Sequence, residues 1–176
     1  AGLEPVKINI VVLQGINDDE ILDFARMSVS EGWNVRFIEF MPFEVPKAEV
    51  FEGVSTQEIR ERIQSLGKLE PYTGKTGNGP ALYYRLPGAT GTIGFISAMS
   101  EHFCDTCNRL RLTSDGQLRP CLLDDDEVNL KGALRDGAST EELKHLIQLA
   151  VDIKREQHHL NDGLVPGRRP MYQIGG

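Results

Sequence analysis

The sequence predicts an α/β fold that changes character part-way along the chain. Within its first 42 residues an apolar run, a helical repeat and a second apolar run follow one another, joined by short turns, the pattern of a strand–helix–strand unit with parallel strands. After residue 107 the chain turns to short alternating segments around a tight Ser114-Asp115-Gly116 turn, the pattern of an antiparallel meander. All three cysteines, Cys104, Cys107 and Cys121, fall where the two patterns meet.

At 176 residues and 40% hydrophobic, the chain can bury one sizeable core or two small ones. Its 19 basic and 26 acidic side chains leave a formal charge of −7. That excludes a general nucleic-acid binder, which would be basic overall, but not a small anion held by a few local arginines. No apolar run approaches the roughly 18 residues of a membrane span, and no basic-then-apolar leader opens the chain. The expectation is therefore a cytoplasmic protein with neither nucleic acid nor membrane as partner. An odd, clustered set of cysteines reads in a reducing compartment as metal ligands before disulfides. Ala1-Gly2-Leu3-Glu4-Pro5 has no initiator Met and runs at once into a strand, so the chain reads as a fragment of something longer.

Residues 6–13 are rich in Val and Ile, with Lys7 and Asn9 pointing together to one side. Either both faces of this strand are covered, or it is an edge strand with one solvated face. Gly15 to Glu20 is a turn and helix start, with Asn17 or Asp18 as the cap. Ile21, Phe24, Ala25 and Val29 recur at helical spacing, and Gly32 stops the helix. Residues 34–40 form the second strand, ended by Met41-Pro42. Arg36 and Glu39 are charged residues within it, and buried charges need partners, so they are candidates for a site or for each other. After an irregular connection over 43–54, Ser55-Thr56-Gln57-Glu58 is a capping box opening a helix to about Leu66. Residues 71–80 read as a mobile loop, and 81–86 and 92–98 as short strands. A short helix is expected near 130–135. A second capping box, Ser139 to Glu142, opens the longest helix, with Leu143, Leu146, Ile147, Ala150 and Ile153 on one face. The stretch 161–176 has no periodicity and ends in Gly175-Gly176, a tail that ordinarily frays.

The first two cysteines are spaced C-x-x-C, and Cys121 follows after thirteen intervening residues. The hairpin between them returns Cys121 towards Cys107. Zinc would ordinarily close four protein ligands, with His102 as the fourth at a cramped spacing. A four-iron cluster on three cysteines would leave one iron open for a substrate. Spacing alone does not choose between the two. Arg109 and Arg111 stand on one face of the strand leaving Cys107, and a guanidinium fork suits phosphate.

The stretch 98–122, AMSEHFCDTCNRLRLTSDGQLRPCL, resembles the C-terminal cluster segment of the GTP 3′,8-cyclase family (MoaA family) of radical S-adenosylmethionine enzymes, which begin molybdenum cofactor synthesis. VKIN at 6–9, GINDDEI at 15–21, RFIEFMP at 36–42 and the terminal Gly-Gly agree with the same family. The family's N-terminal C-x-x-x-C-x-x-C motif is absent. The resemblance thus implies a C-terminal half: the last strands and helices of an incomplete (βα) TIM-type barrel, followed by a cap of antiparallel sheet and helix. It implies three regions, 1–70 as barrel, 71–91 as connection, and 92–176 as the cluster-binding region with its tail. The linker at 43–46 lacks the glycine often found there in the family.

The same resemblance implies that Cys104, Cys107 and Cys121 ligate a 4Fe-4S cluster. Lys7, Arg36, Arg109 and Arg111 would bind GTP, with Arg109 and Arg111 at the reacting centre. Met41 would lie near S-adenosylmethionine, which the missing half would cleave on a second 4Fe-4S cluster. The radical so formed would take the ribose 3′ hydrogen of GTP, and the product would be 3′,8-cyclo-7,8-dihydro-GTP. The tail would enter the cavity. Partners are then GTP, the missing half and, admissibly, a second copy in a homodimer, and the chain alone is expected to be inactive. The alternative is a non-catalytic, zinc-stapled binding or scaffolding module.

Overall fold

The computed structural model describes residues 2, 4–42, 51–74, 79–162, 167, 169 and 173–174. The Gly175-Gly176 tail, the 43–46 linker and part of the loop at 71–80 lie outside the described residues. The chain divides into two compact units. One holds the described residues up to Phe103 except Pro42, and the other holds Pro42 and those from Cys104 onward. None of the described helices is long and apolar enough to cross a membrane.

The first unit is α/β. Strand β1 (Lys7–Val11), helix α1 (Ile21–Ser30) and strand β2 (Asn34–Ile38) make the expected parallel unit. Helix α2 (Thr56–Ile63) follows, then the short strands β3 (Glu70–Pro71), β4 (Leu82–Arg85) and β5 (Thr92–Ile96). Their order is β1-β2-β5-β4-β3, with β5 parallel to β2 and β4 and β3 antiparallel. Pro71, expected in a loop, is thus a strand residue paired to Tyr84.

Period-two alternation sorts the sheet into two unlike faces. Ile10, Val35, Phe37, Ile93 and Phe95 pack with Ile21 and Ala25 of α1 and with Ile59 and Ile63 of α2 into one buried cluster. Register sets Lys7, Asn34 and Thr92 in one row of the opposite face, and Asn9, Arg36 and Gly94 in the next. Lys7, Asn9 and Val11 are exposed there, so β1 is an edge strand with a solvated face. A side chain at Gly94 would press within 3.0 Å of both Arg36 Cγ and Tyr83 Cε1. Its missing Cβ is what lets Arg36 lie across the sheet.

Three local expectations change. Asn17 does not cap the helix start. Its carboxamide bridges Leu13 N–H (2.8 Å) and the Val11 carbonyl, while Asp18 accepts the Gly15 N–H. Both side chains hold the turn closed, because the short loop leaves its own amides in need of partners. On α1, Ser28 replaces Val29 as the buried residue, its hydroxyl donating to the Ala25 carbonyl at 2.7 Å, and Val29 is exposed. At α2, Ser55 accepts the Glu58 N–H, but the Glu58 carboxylate is paired with Arg62 at 2.5 Å.

Glu39, just beyond β2, is buried and accepts four bonds. The Thr56, Met99 and Ser100 amides and the Ser100 hydroxyl converge on its two oxygens at 2.5–3.1 Å. It therefore ties the β2 end to the α2 start and to the segment leading towards Cys104. Its partner is not Arg36.

The second unit is antiparallel. Strands β6 (Arg111–Leu112), β7 (Gln117–Arg119) and β8 (Val128–Asn129) form a three-stranded meander. Gly116 turns the hairpin at φ +82°, where a Cβ would also strike Lys131 at 2.3 Å. Helix α3 (Leu130–Arg135) follows, and then α4 (Thr140–Asp152), opened by a complete Ser139–Glu142 capping box. The core here is small: Leu118, Val128 and Ala150, with Leu130 and Leu146 against them. Ile147 and Ile153, expected on the buried face of α4, are exposed. The thin sheet offers only enough surface to cover a narrow stripe.

Burial alone would push the Glu39 carboxyl up, but the Ser100 hydroxyl and the Ser100, Met99 and Thr56 amides outweigh it and hold the carboxyl below its ordinary value. Its contribution is thus present above the ordinary carboxylate range (about pH 4.3) and is lost as pH falls through the lower folded value. Glu39→Ala should cost about 2–3 kcal/mol at pH 7 by urea denaturation. The gap between variant and native protein should narrow below about pH 4.

Candidate functional site

The site is built where the C-x-x-C turn meets the hairpin. Cys104–Thr106 is a single 3-10 turn, closed by the Cys107 N–H on the Cys104 carbonyl at 3.1 Å. In such a turn side chains three apart stack over one another, so C-x-x-C presents both sulfurs to one side. β6 pairs with β7 in the register Arg111↔Arg119. Continued two residues outward, that register sets Cys121 against Arg109. All three cysteines are free and half-buried.

Neighbouring charges act on Cys121 and on Arg111. Burial pushes the Cys121 thiol up, the Leu123 N–H on its sulfur (3.3 Å) pulls it back, and Asp124, Cys104 and Cys107 push it further. Arg111 is pressed below its ordinary value by burial and then by Arg109, while the Cys121 thiol draws it back, Arg119 depresses it and Cys107 supports it. Arg111 therefore lies within electrostatic reach of Arg109, Cys107 and Cys121, and Cys121 within reach of Cys104 and Cys107. Three thiolates cannot gather cheaply without a cation, and crowded guanidiniums favour an anion. The donor set fits a thiolate-ligated metal centre beside an anion-binding patch.

Three residues missed in the sequence stand around this locus. Arg119 has no exposed surface. It pairs with Glu127 at 2.7 Å and Asp125 at 3.7 Å and donates to the Asp124 carbonyl, while its Nε has no partner. The acidic stretch is otherwise answered by Arg155, on Asp124 and Asp126, and by Arg169, on Glu127. The buried His158 carries a ring nitrogen within 4.8 Å of the Cys104 sulfur. Lys154, just past the end of α4, donates to the Cys107 and Arg109 carbonyls. Arg119 had a legible signal, a charge flanked by Leu118 and Pro120 in a strand. Lys154 and His158 had none, since they lie far along the chain from the cysteines.

The remaining candidates belong to the first unit. Lys7, exposed, and Arg36, half-buried, share the sheet face turned away from α1 and α2, and the Arg36 Nε is buried without a hydrogen-bond partner. Met41 lies half-buried three residues past the end of β2.

Comparison with known proteins bears on the whole chain. Residues 33–160 match the family described as Molybdenum Cofactor Synthesis C. A GTP 3′,8-cyclase of Moorella thermoacetica is 49% identical over 176 residues, covering all of this chain and 54% of that protein. Those of Desulforamulus reducens and Thermodesulfovibrio yellowstonii are 51% and 50% identical, each again over 54% of its length. The chain thus spans about half the length of the curated relatives it matches.

With its thiol pushed up by burial, Cys121 should be alkylated by iodoacetamide more slowly at pH 7.5 than an ordinary exposed cysteine. Its rate should still be climbing above pH 9. Peptide mapping of the labelled metal-free protein measures this directly.

Proposed function

This chain belongs to the molybdenum cofactor synthesis C family, and from that premise we propose that it is the GTP-binding, 4Fe-4S-carrying half of a radical S-adenosylmethionine GTP 3′,8-cyclase. The observation that carries the reading is the hairpin register that sets Cys121 against Arg109, beside the single turn holding Cys104 and Cys107, in a chain about half identical to enzymes of that name. It corresponds to the C-terminal half of those relatives. The activity belongs to the complete enzyme, whose product would be 3′,8-cyclo-7,8-dihydro-GTP.

Cys104, Cys107 and Cys121 would hold the cluster. When bound it supplies an iron with no protein ligand, a Lewis-acidic contact for the guanine ring. The other roles fall to the chain itself. Arg109 and Arg111 grip the triphosphate. The favourable exchange is plain for Arg111, since an incoming anion relieves what burial and neighbouring cations cost it. In a site closed to water such contacts also strengthen. Lys7 and Arg36 add positive charge from the solvated sheet face, which we read as the inner wall of a partial (βα) barrel. A parallel sheet is ordinarily covered on both faces, and here α1 and α2 cover only one. The missing half of the barrel, bearing the S-adenosylmethionine cluster, is the partner this face calls for, with Met41 beside S-adenosylmethionine. The radical chemistry is the cofactors' own, and the protein orients substrate against it.

Anaerobic reconstitution should yield a brown protein with about four irons per chain, and serine at any one of the cysteines should abolish it. Stoichiometric zinc in native protein would instead favour the zinc-stapled module. Arg109→Ala and Arg111→Ala should leave iron content unchanged and weaken GTP binding about ten- to a hundredfold, as for loss of a charge-assisted hydrogen bond. Loss of iron in either would make the arginines structural. The chain alone should release no 5′-deoxyadenosine from S-adenosylmethionine.

A further inference from the structure

Lys154 follows Ile153, the C-terminal cap of α4. A cation there ordinarily serves the last carbonyls of its own helix. This one reaches away instead. Its ammonium donates to the Cys107 carbonyl at 2.9 Å and the Arg109 carbonyl at 2.8 Å, and lies 3.5 Å from the Cys107 sulfur. An ammonium has three donors, and here three acceptors within residues 107–109 meet them. We propose that Lys154 is a positioning residue that locks this segment, setting a metal-ligating thiolate and a nucleotide-binding guanidinium in one register. The inference rests on the reading of Cys107 and Arg109 given above.

The backbone makes such a clamp necessary. Residues 107–110 lie between the 3-10 turn ending at Thr106 and the start of β6, in neither helix nor strand. No ladder fixes their peptide planes. Two carbonyls bound by one ammonium fix the 107–108 and 109–110 peptide planes, and with them the directions in which the Cys107 and Arg109 side chains leave the chain. The same charge stands 3.5 Å from the sulfur, where it would raise the reduction potential of a cluster held by that sulfur. Leu123 N–H plays the neutral counterpart at Cys121. Because Lys154 directly follows the longest helix described, which is seated through Ala150 in the core of its unit, the segment is referred to a helical support.

The test compares native protein, Lys154→Met and Lys154→Arg, each metal-free and after anaerobic loading with iron and sulfide. In metal-free Lys154→Met, amide hydrogen exchange at 108–110 should quicken at least tenfold while α4 and β7 exchange as before. Loaded, it should keep its iron but favour the oxidised state about tenfold more, a fall of about 59 mV for one electron. Its Kd for GTP should rise about tenfold, and Lys154→Arg should restore the potential. Unchanged exchange at 108–110 in Lys154→Met overturns the clamp. An unmoved potential with faster exchange overturns the role at the thiolate. If Lys154→Met exchanges faster everywhere, Lys154→Arg decides: native-like exchange and potential support the clamp, and their loss overturns it. Native protein that takes up no iron refutes the cluster reading, and the metal-free exchange then decides the clamp by itself.

Discussion

A guanidinium without solvent organises the second unit. Taking Arg119 out of water costs several kcal/mol unless its hydrogens find acceptors, and its own strand offers few. The acidic run 124–127 bends back to supply them. That bend fixes the chain between β7 and β8, and Cys121 lies on it. With only Leu118, Val128 and Ala150 buried together in its core cluster among the described residues, this unit has a small hydrophobic core. Charge compensation holds its cysteine loop in place, and metal ligation would add folding free energy to the same loop.

The first unit solves a different problem. Its apolar face is closed by two helices, and its other face carries Lys7, Asn9 and Arg36. Gly94 allows Arg36 to lie flat, and Glu39 anchors the strand end on four donors that outweigh its burial. A sheet built this way keeps a charged surface rigid. The substrate wall proposed above would use that property, since a positioned charge need not reorganise when an anion arrives.

Around the cysteines the two electrostatic demands are complementary. Gathered thiols raise the cost of their own ionisation, which a metal removes, and gathered arginines raise the cost of their own charge, which an anion removes. The two demands also meet at Arg111, whose charge the Cys121 and Cys107 sulfurs support. The proposed metal centre and phosphate-bearing substrate would answer both demands together.

Much of this was written in local sequence. The strand–helix–strand order, the hairpin turn, the Ser139 cap and the cysteine and arginine spacing all depend on neighbours within a few residues, where geometry is set by period and turn chemistry. The solvated face of β1 was legible only as one of two choices, since alternation cannot say what covers a face. Asn17 looks like a cap until the turn it closes is seen. Glu39 and Arg36 were marked as charges in need of partners, but the partners, Thr56, Met99 and Ser100 for Glu39, lie 17 to 61 residues away. Lys154, 47 residues from Cys107, carried no local mark. The sequence by itself determined which side chains can ligate metal and grip phosphate, because that is a property of residue type and spacing. Only the tertiary structure decided which distant groups hold them in place, because a long-range hydrogen bond leaves no periodic trace in the chain.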